Sequence, residues 1–168
     1  MSYFYSKTQN SGSRALVASL VVVVSCFFLS SLKADVVVQS NGKRIDGVTV
    51  LSAKWDQVLF KQDGNTVKLL GDKVVSIGRE SAYLQPVRSA ISGGNYAKAL
   101  SSISKLDGRG LKGWQAAELQ YLKGKAHLAA GEAGKADGVF KEFVAANTET
   151  KDYWLPHAIY GRGQASLD

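Results

Sequence analysis

The chain has 168 residues, 45% of them apolar, and a formal charge of +7, which suits one ordinary domain or two small ones with a core that needs no covalent staples. Its single cysteine, Cys26, excludes a cystine scaffold. Lys7, Arg14 and Lys33 precede Asp35 with no accompanying acid, so removing them takes the charge from +7 to +4, a mild excess that argues against a dedicated nucleic-acid face.

The first element is a polar lead followed by an apolar run from Ala15 to Leu32. A basic lead and an apolar run are the two parts of a secretory signal, so residues 1–34 are expected to be a signal peptide or a membrane anchor. Ala34 supplies the small side chain a signal peptidase needs, and cleavage before Asp35 is the expected outcome. One alternative keeps the 18-residue run as an anchor, with membrane contact through residues 15–32. Another is lipidation at Cys26, which follows Val23-Val24-Ser25 in a loose likeness to a bacterial lipoprotein box.

From Asp35 to Arg79 short apolar runs alternate with turn dipeptides. Val36–Val38 meets Asn41-Gly42, and Ile45, Val48 and Val50 follow. Val58 and Phe60 lead to Asp63-Gly64; Val67–Leu70 meets Gly71-Asp72, and Val74–Ile77 ends the set. Five strands in so short a segment predict a small antiparallel sheet over residues 35–79 that curls into a β-barrel. Asn41-Gly42, Asp46-Gly47 and the run Val74 to Ile77 resemble the turns and closing strand of small Sm-like or SH3-like barrels. The RNA binding known among Sm proteins is not expected here, because no base-stacking motif accompanies the resemblance.

After Glu80 the spacing becomes helical. Helices are expected over Ser81–Ile91, from Tyr96 to Leu106, over Trp114–Ala130 and over Glu132–Ala146, the last with Val139, Phe140 and Phe143 buried. Gly93-Gly94 and Gly131 are the stops. Gly94 and Gly131 are 37 residues apart, as are Ala99 and Ala136, and Ala136 and Phe140 have an Ala-x3-Phe spacing. Pro156 then suits a first helical turn, and Tyr160–Ala165 echoes Tyr121–Ala126 at a shift of 39. Residues 80–168 thus resemble tetratricopeptide-like repeats, about two and a half units. In that family a small Ala brings the two helices of a hairpin together and an aromatic fills the gap one turn later. The expected fold class is α+β, a small barrel followed by a helical repeat stack.

Candidate chemistry is sparse. His127 and His157 are isolated from one another in sequence and lack partners at metal-ligand spacing. Gly108-Arg109-Gly110 and Gly161-Arg162-Gly163 match neither a P-loop nor a dinucleotide fingerprint. No catalytic residue, cofactor or metal is therefore expected. Stacked hairpins expose a concave groove, and Arg88, Lys125 and Arg162 recur at intervals of 37 as a basic ladder for an anionic peptide or terminal carboxylate, with Tyr121 beside it. A register of 39 pairs Arg162 with Lys123 instead and dissolves the ladder. Trp55 is a candidate contact between sheet and repeats. The expected function is an exported, non-enzymatic adaptor that binds an envelope protein or peptide through its repeats, in the periplasm or cell envelope. The alternatives are a membrane-tethered structural subunit that self-associates through the unfinished third unit, and a binder of an anionic polymer.

Overall fold

The computed structural model describes residues 34–167. The expected export segment, Cys26 included, lies outside the described residues apart from Ala34. Five strands come first: β1 (Asp35–Gln39), β2 (Arg44–Ala53), β3 (Gln57–Gln62), β4 (Asn65–Leu70) and β5 (Val74–Gly78). Five helices follow: α1 (Gln85–Ser92), α2 (Tyr96–Asp107), α3 (Trp114–Ala129), α4 (Ala133–Asn147) and α5 (Leu155–Ala165).

The strands form one antiparallel sheet in the order β4-β3-β2-β1-β5. Turn chemistry sets its register. Asp63 and Gly64 both have positive φ, 50° and 81°, as a two-residue type I′ hairpin between the paired Gln62 and Asn65 requires. β2 is bent by an extra residue between Val50 and Ser52, so its first half pairs with β1 and its second with β3. Alternation turns Val37, Ile45, Val48, Val58, Phe60 and Ile77 into one buried cluster.

The sheet curls but is not the closed barrel expected from the sequence. Among the described residues β4 and β5 do not pair with one another and form the two edges. The open side is occupied from the helical half, by the linker between α4 and α5. Asp152 makes an antiparallel bridge with Lys54, the Trp55 amide donates to the Lys151 carbonyl at 2.9 Å, and Lys151 Nζ lies 2.8 Å from Asp56 Oδ2. The Tyr153 ring packs against the sheet cluster, and its hydroxyl donates to the Val75 carbonyl on the β5 edge at 3.3 Å. A side chain therefore satisfies an edge group that a sixth strand would otherwise take. Trp55 is 46% exposed; its backbone and the cation–π contact with Lys151, 5.7 Å from the ring centroid, join it to this linker.

The helices pack in antiparallel succession. α1 begins four residues later than expected, at Gln85. Ser81 Oγ accepts from the Leu84 amide in a preceding turn, and Pro86 takes an early helical position where its missing N–H costs nothing. Asn95 caps α2 by accepting from the Lys98 amide. Val139 is only half-buried, whereas Phe140 and Phe143 are fully buried.

The hairpins repeat at the level of packing. Ala99 and Ala136 are both fully buried, and Ile103 and Phe140 follow them by four residues at 1% exposure each. On α3, Leu119, Leu122 and Ala126 pack into the cluster of the preceding hairpin. Their counterparts 39 residues on, Ala158, Gly161 and Ala165, are the buried face of α5. The packing thus selects a register of 39, not 37, between α3 and α5. Phe140 on α4 lies between the two: a Cβ added at Gly124 or Gly161 would come within 2.5 or 2.6 Å of its ring.

Candidate functional site

Three of the four residues expected to bind a partner converge. Arg88 on α1 and Tyr121 and Lys125 on α3 line one cleft of about 430 Å³, whose opposite wall is the β1/β5 side of the sheet, Val36, Ile77 and Gly78. The helical spacing of 118, 121, 122 and 125 puts Glu118, Tyr121, Leu122 and Lys125 on the same side of α3, and all four line it. Arg162 is elsewhere: its Nε donates to Asp137 Oδ1 on α4 at 3.0 Å. Its counterpart in the register of 39, Lys123, likewise reaches Asp107 at 3.0 Å. These two cations tie each first helix to the preceding hairpin, and the ladder at intervals of 37 does not form.

The floor of the cleft is ionic. Arg88 donates from Nε to Glu118 Oε1 at 2.6 Å and from a terminal nitrogen to the Arg79 carbonyl at 2.7 Å. Glu118 is 4% exposed, and a carboxylate so deep persists only with such a partner. Arg79 sits over the Trp114 ring, 5.0 Å from its centroid. Its Nε is buried with no hydrogen-bond partner among the described residues. Burial pulls the Arg79 guanidinium below its ordinary pKa, while Asp35, Asp152 and Glu118 hold its charge. Asp35, the first residue of β1, accepts from the amides of Val50 and Glu80 and so fixes the start of the sheet beside this cluster.

The far wall is aromatic. Tyr121 stacks on Trp154 with centroids 4.5 Å apart and 14° between planes, and its phenol is pushed up in pKa by burial and then by the Glu118 charge. His157 lies 5.5–6.0 Å from the rings of Tyr121, Tyr153 and Trp154; burial, and secondly Lys125, depress its pKa. Lys125 is exposed and has no carboxylate within salt-bridge distance among the described residues. His127 hydrogen-bonds Glu132 through Nδ1 at 2.6 Å, just beyond the end of α3. Among the described residues no group of three or more His, Cys, Asp or Glu is placed to hold a metal ion.

Among the described residues the cleft thus offers an uncommitted cation, Lys125, a partly exposed guanidinium, an exposed strand end and stacked rings. Such a set can hold an extended, acidic or aromatic segment. Sequence reasoning missed Arg79 and Glu118. Glu118 carried a signal: a carboxylate next to Leu119 and one turn from Leu122, on an apolar stripe, has to be paired. Arg79 had none, because its depth depends on how the sheet meets the helices. No protein-family model, no curated protein and no solved structure matches the chain.

Proposed function

We propose that this protein is an exported adaptor, without catalysis of its own, that binds an extended segment of an envelope protein in the cleft between the sheet and helices α1 and α3. The observation that carries the reading is the convergence of Arg88, Tyr121 and Lys125 on that one cleft. The commitment of Glu118 to Arg88, at 2.6 Å, supports binding over acid–base work, because the carboxylate is occupied in holding the cleft floor together. Export rests on the basic lead and the apolar run of residues 1–34. The helical half is read as tetratricopeptide-like, on the buried Ala99/Ala136 and Ile103/Phe140 pairs.

The test is affinity capture from intact envelopes with the full chain and with Lys125→Glu, a substitution at an exposed site. The expected result is a partner recovered with the wild type and lost with the variant. A partner retained equally by both would place binding outside the cleft. Amino-terminal sequencing of the fractionated protein tests export: a soluble chain beginning at Asp35 is expected, and a membrane-bound chain with residues 15–32 intact would favour the tethered subunit.

A further inference from the structure

The cleft borders a second cavity. This one, of about 280 Å³, lies between α3 and α5 and is lined by Tyr121, Lys125 and Leu128 of α3, Phe140 of α4, and His157 and Gln164 of α5. Tyr121 and Lys125 line both spaces. They are four residues apart, one turn of helix, so a chain leaving the cleft across α3 passes over them to reach the second cavity. α3 packs against α1, α2, α4 and α5, yet Lys125 is exposed; the opening is one that packed helices leave on both of its flanks.

The two spaces differ in charge. In the cleft Glu80 and Glu118 accompany Arg79, Arg88 and Lys125, whereas no carboxylate lines the second cavity and Lys125 is its cation among the described residues. The lysine charge is felt inside, because it adds to burial in depressing the His157 pKa. The remaining walls are rings and an aliphatic side chain: Tyr121 and His157 lie with centroids 6.0 Å apart, and Phe140 and Leu128 complete them. Such walls suit an aromatic side chain. A single lysine suits a carboxylate, whereas a phosphate is better held by arginine forks, and the α5 guanidinium, Arg162, is already taken by Asp137.

We infer that the segment bound in the cleft continues over α3, where it presents an acidic side chain to Lys125 and a neighbouring aromatic side chain to the cavity between α3 and α5. The inference rests on the proposed use of the cleft and adds the pair of residues by which a partner is chosen. The carboxylate belongs to a side chain, not to a chain terminus, because the crossing segment continues to both sides of Lys125.

The probe is acetyl-aspartyl-phenylalanine amide, titrated against the full chain and followed by amide NMR shifts. Saturable shifts at Leu128, His157 and Gln164 are expected, with a Kd of about 1 mM. Replacing the aspartyl unit by asparaginyl, or the phenylalanine by alanine, should each weaken binding by at least about fivefold. Gln164→Glu, at an exposed position that lines the second cavity and not the cleft, should weaken it as much by bringing a carboxylate there. Equal binding of the three peptides, shifts confined to the cleft, or no shift at about 10 mM peptide would overturn the inference. Tighter binding of acetyl-phenylalanine, whose carboxylate is terminal, would also overturn it, in favour of a chain end. Capture from envelopes separates this inference from the reading beneath it. A partner lost with Lys125→Glu but kept by Gln164→Glu would overturn the second cavity and leave the cleft standing, and a partner kept by both variants would overturn the two together.

Discussion

Phe140 shows how much a single side chain depends on what its neighbours lack. Its ring is 1% exposed and occupies the space that a Cβ on Gly124 or Gly161 would need. Gly124→Ala therefore sets a small gain in helix propensity against a clash with a ring that has nowhere to go, and should cost about 1–3 kcal/mol. Gly163→Ala has no such neighbour and should stabilise by up to about 1 kcal/mol, because glycine is a poor helix residue. Urea unfolding of the two variants checks the opposite signs; equal shifts would mean that Phe140 relaxes freely. His157 supplies a prediction in pH. Its depressed pKa means that the unfolded chain takes up the proton first, so its contribution to stability is present above about 6.5 and is lost as pH falls through that value. Stability should decline as pH falls below about 6.5, and His157→Gln should flatten the decline. Asp56 and Glu132, both held below their ordinary values by lysine partners, lose their contributions only in the carboxylate range below it.

At the level of elements, α3 couples the two halves of the molecule. Its Glu118 ties α1 to the sheet through Arg88 and the Arg79 carbonyl. Glu118→Ala strands two guanidinium groups in a largely dry site and should destabilise by about 3 kcal/mol. The double replacement Arg88→Met with Glu118→Met should recover most of the loss, because it removes both charges together. If denaturation shows the double variant as weak as the single, the pair is specifying geometry as well as charge. Strands and helices of this kind were legible from the sequence because their signals are local. Asp63-Gly64 dictates its turn, and Leu119, Leu122 and Ala126 show their face by spacing alone. Closure of the sheet was not legible. Alternating valines say which face is buried but not whether β4 will reach β5, and the residue that fills the gap, Tyr153, lies 78 positions from its acceptor. The cleft was half legible: repeat spacing points to Arg88 and Lys125 and aromatic character to Tyr121, whereas Arg162 belongs to a register that packing rejects.

Across the whole molecule, the linker at residues 151–154 joins the last helix to the sheet. Lys151 reaches Asp56, Asp152 bridges Lys54, and Tyr153 covers the core and the β5 edge. Burial drives the Tyr153 phenol up to about 12, so it stays protonated and able to donate through the physiological range. Tyr153→Phe removes the hydrogen bond alone and should cost about 0.5–1.5 kcal/mol. Tyr153→Ala also uncovers the cluster around Phe60 and should cost about 3–5 kcal/mol. Hydrogen exchange at Ser76 and Ile77 should accelerate in both, more in the alanine variant; protection unchanged in either would mean that the β5 edge closes without this side chain. The arrangement also bears on folding order. Synthesis runs from the amino terminus, so all five strands exist as chain well before residue 153 does, and the sheet keeps an open flank and a bare edge until residues 151–154 arrive. Long-range closure of this kind is slow and exposes strand edges meanwhile. Chains shortened ahead of Lys151 should therefore aggregate through the sheet even though every strand is intact.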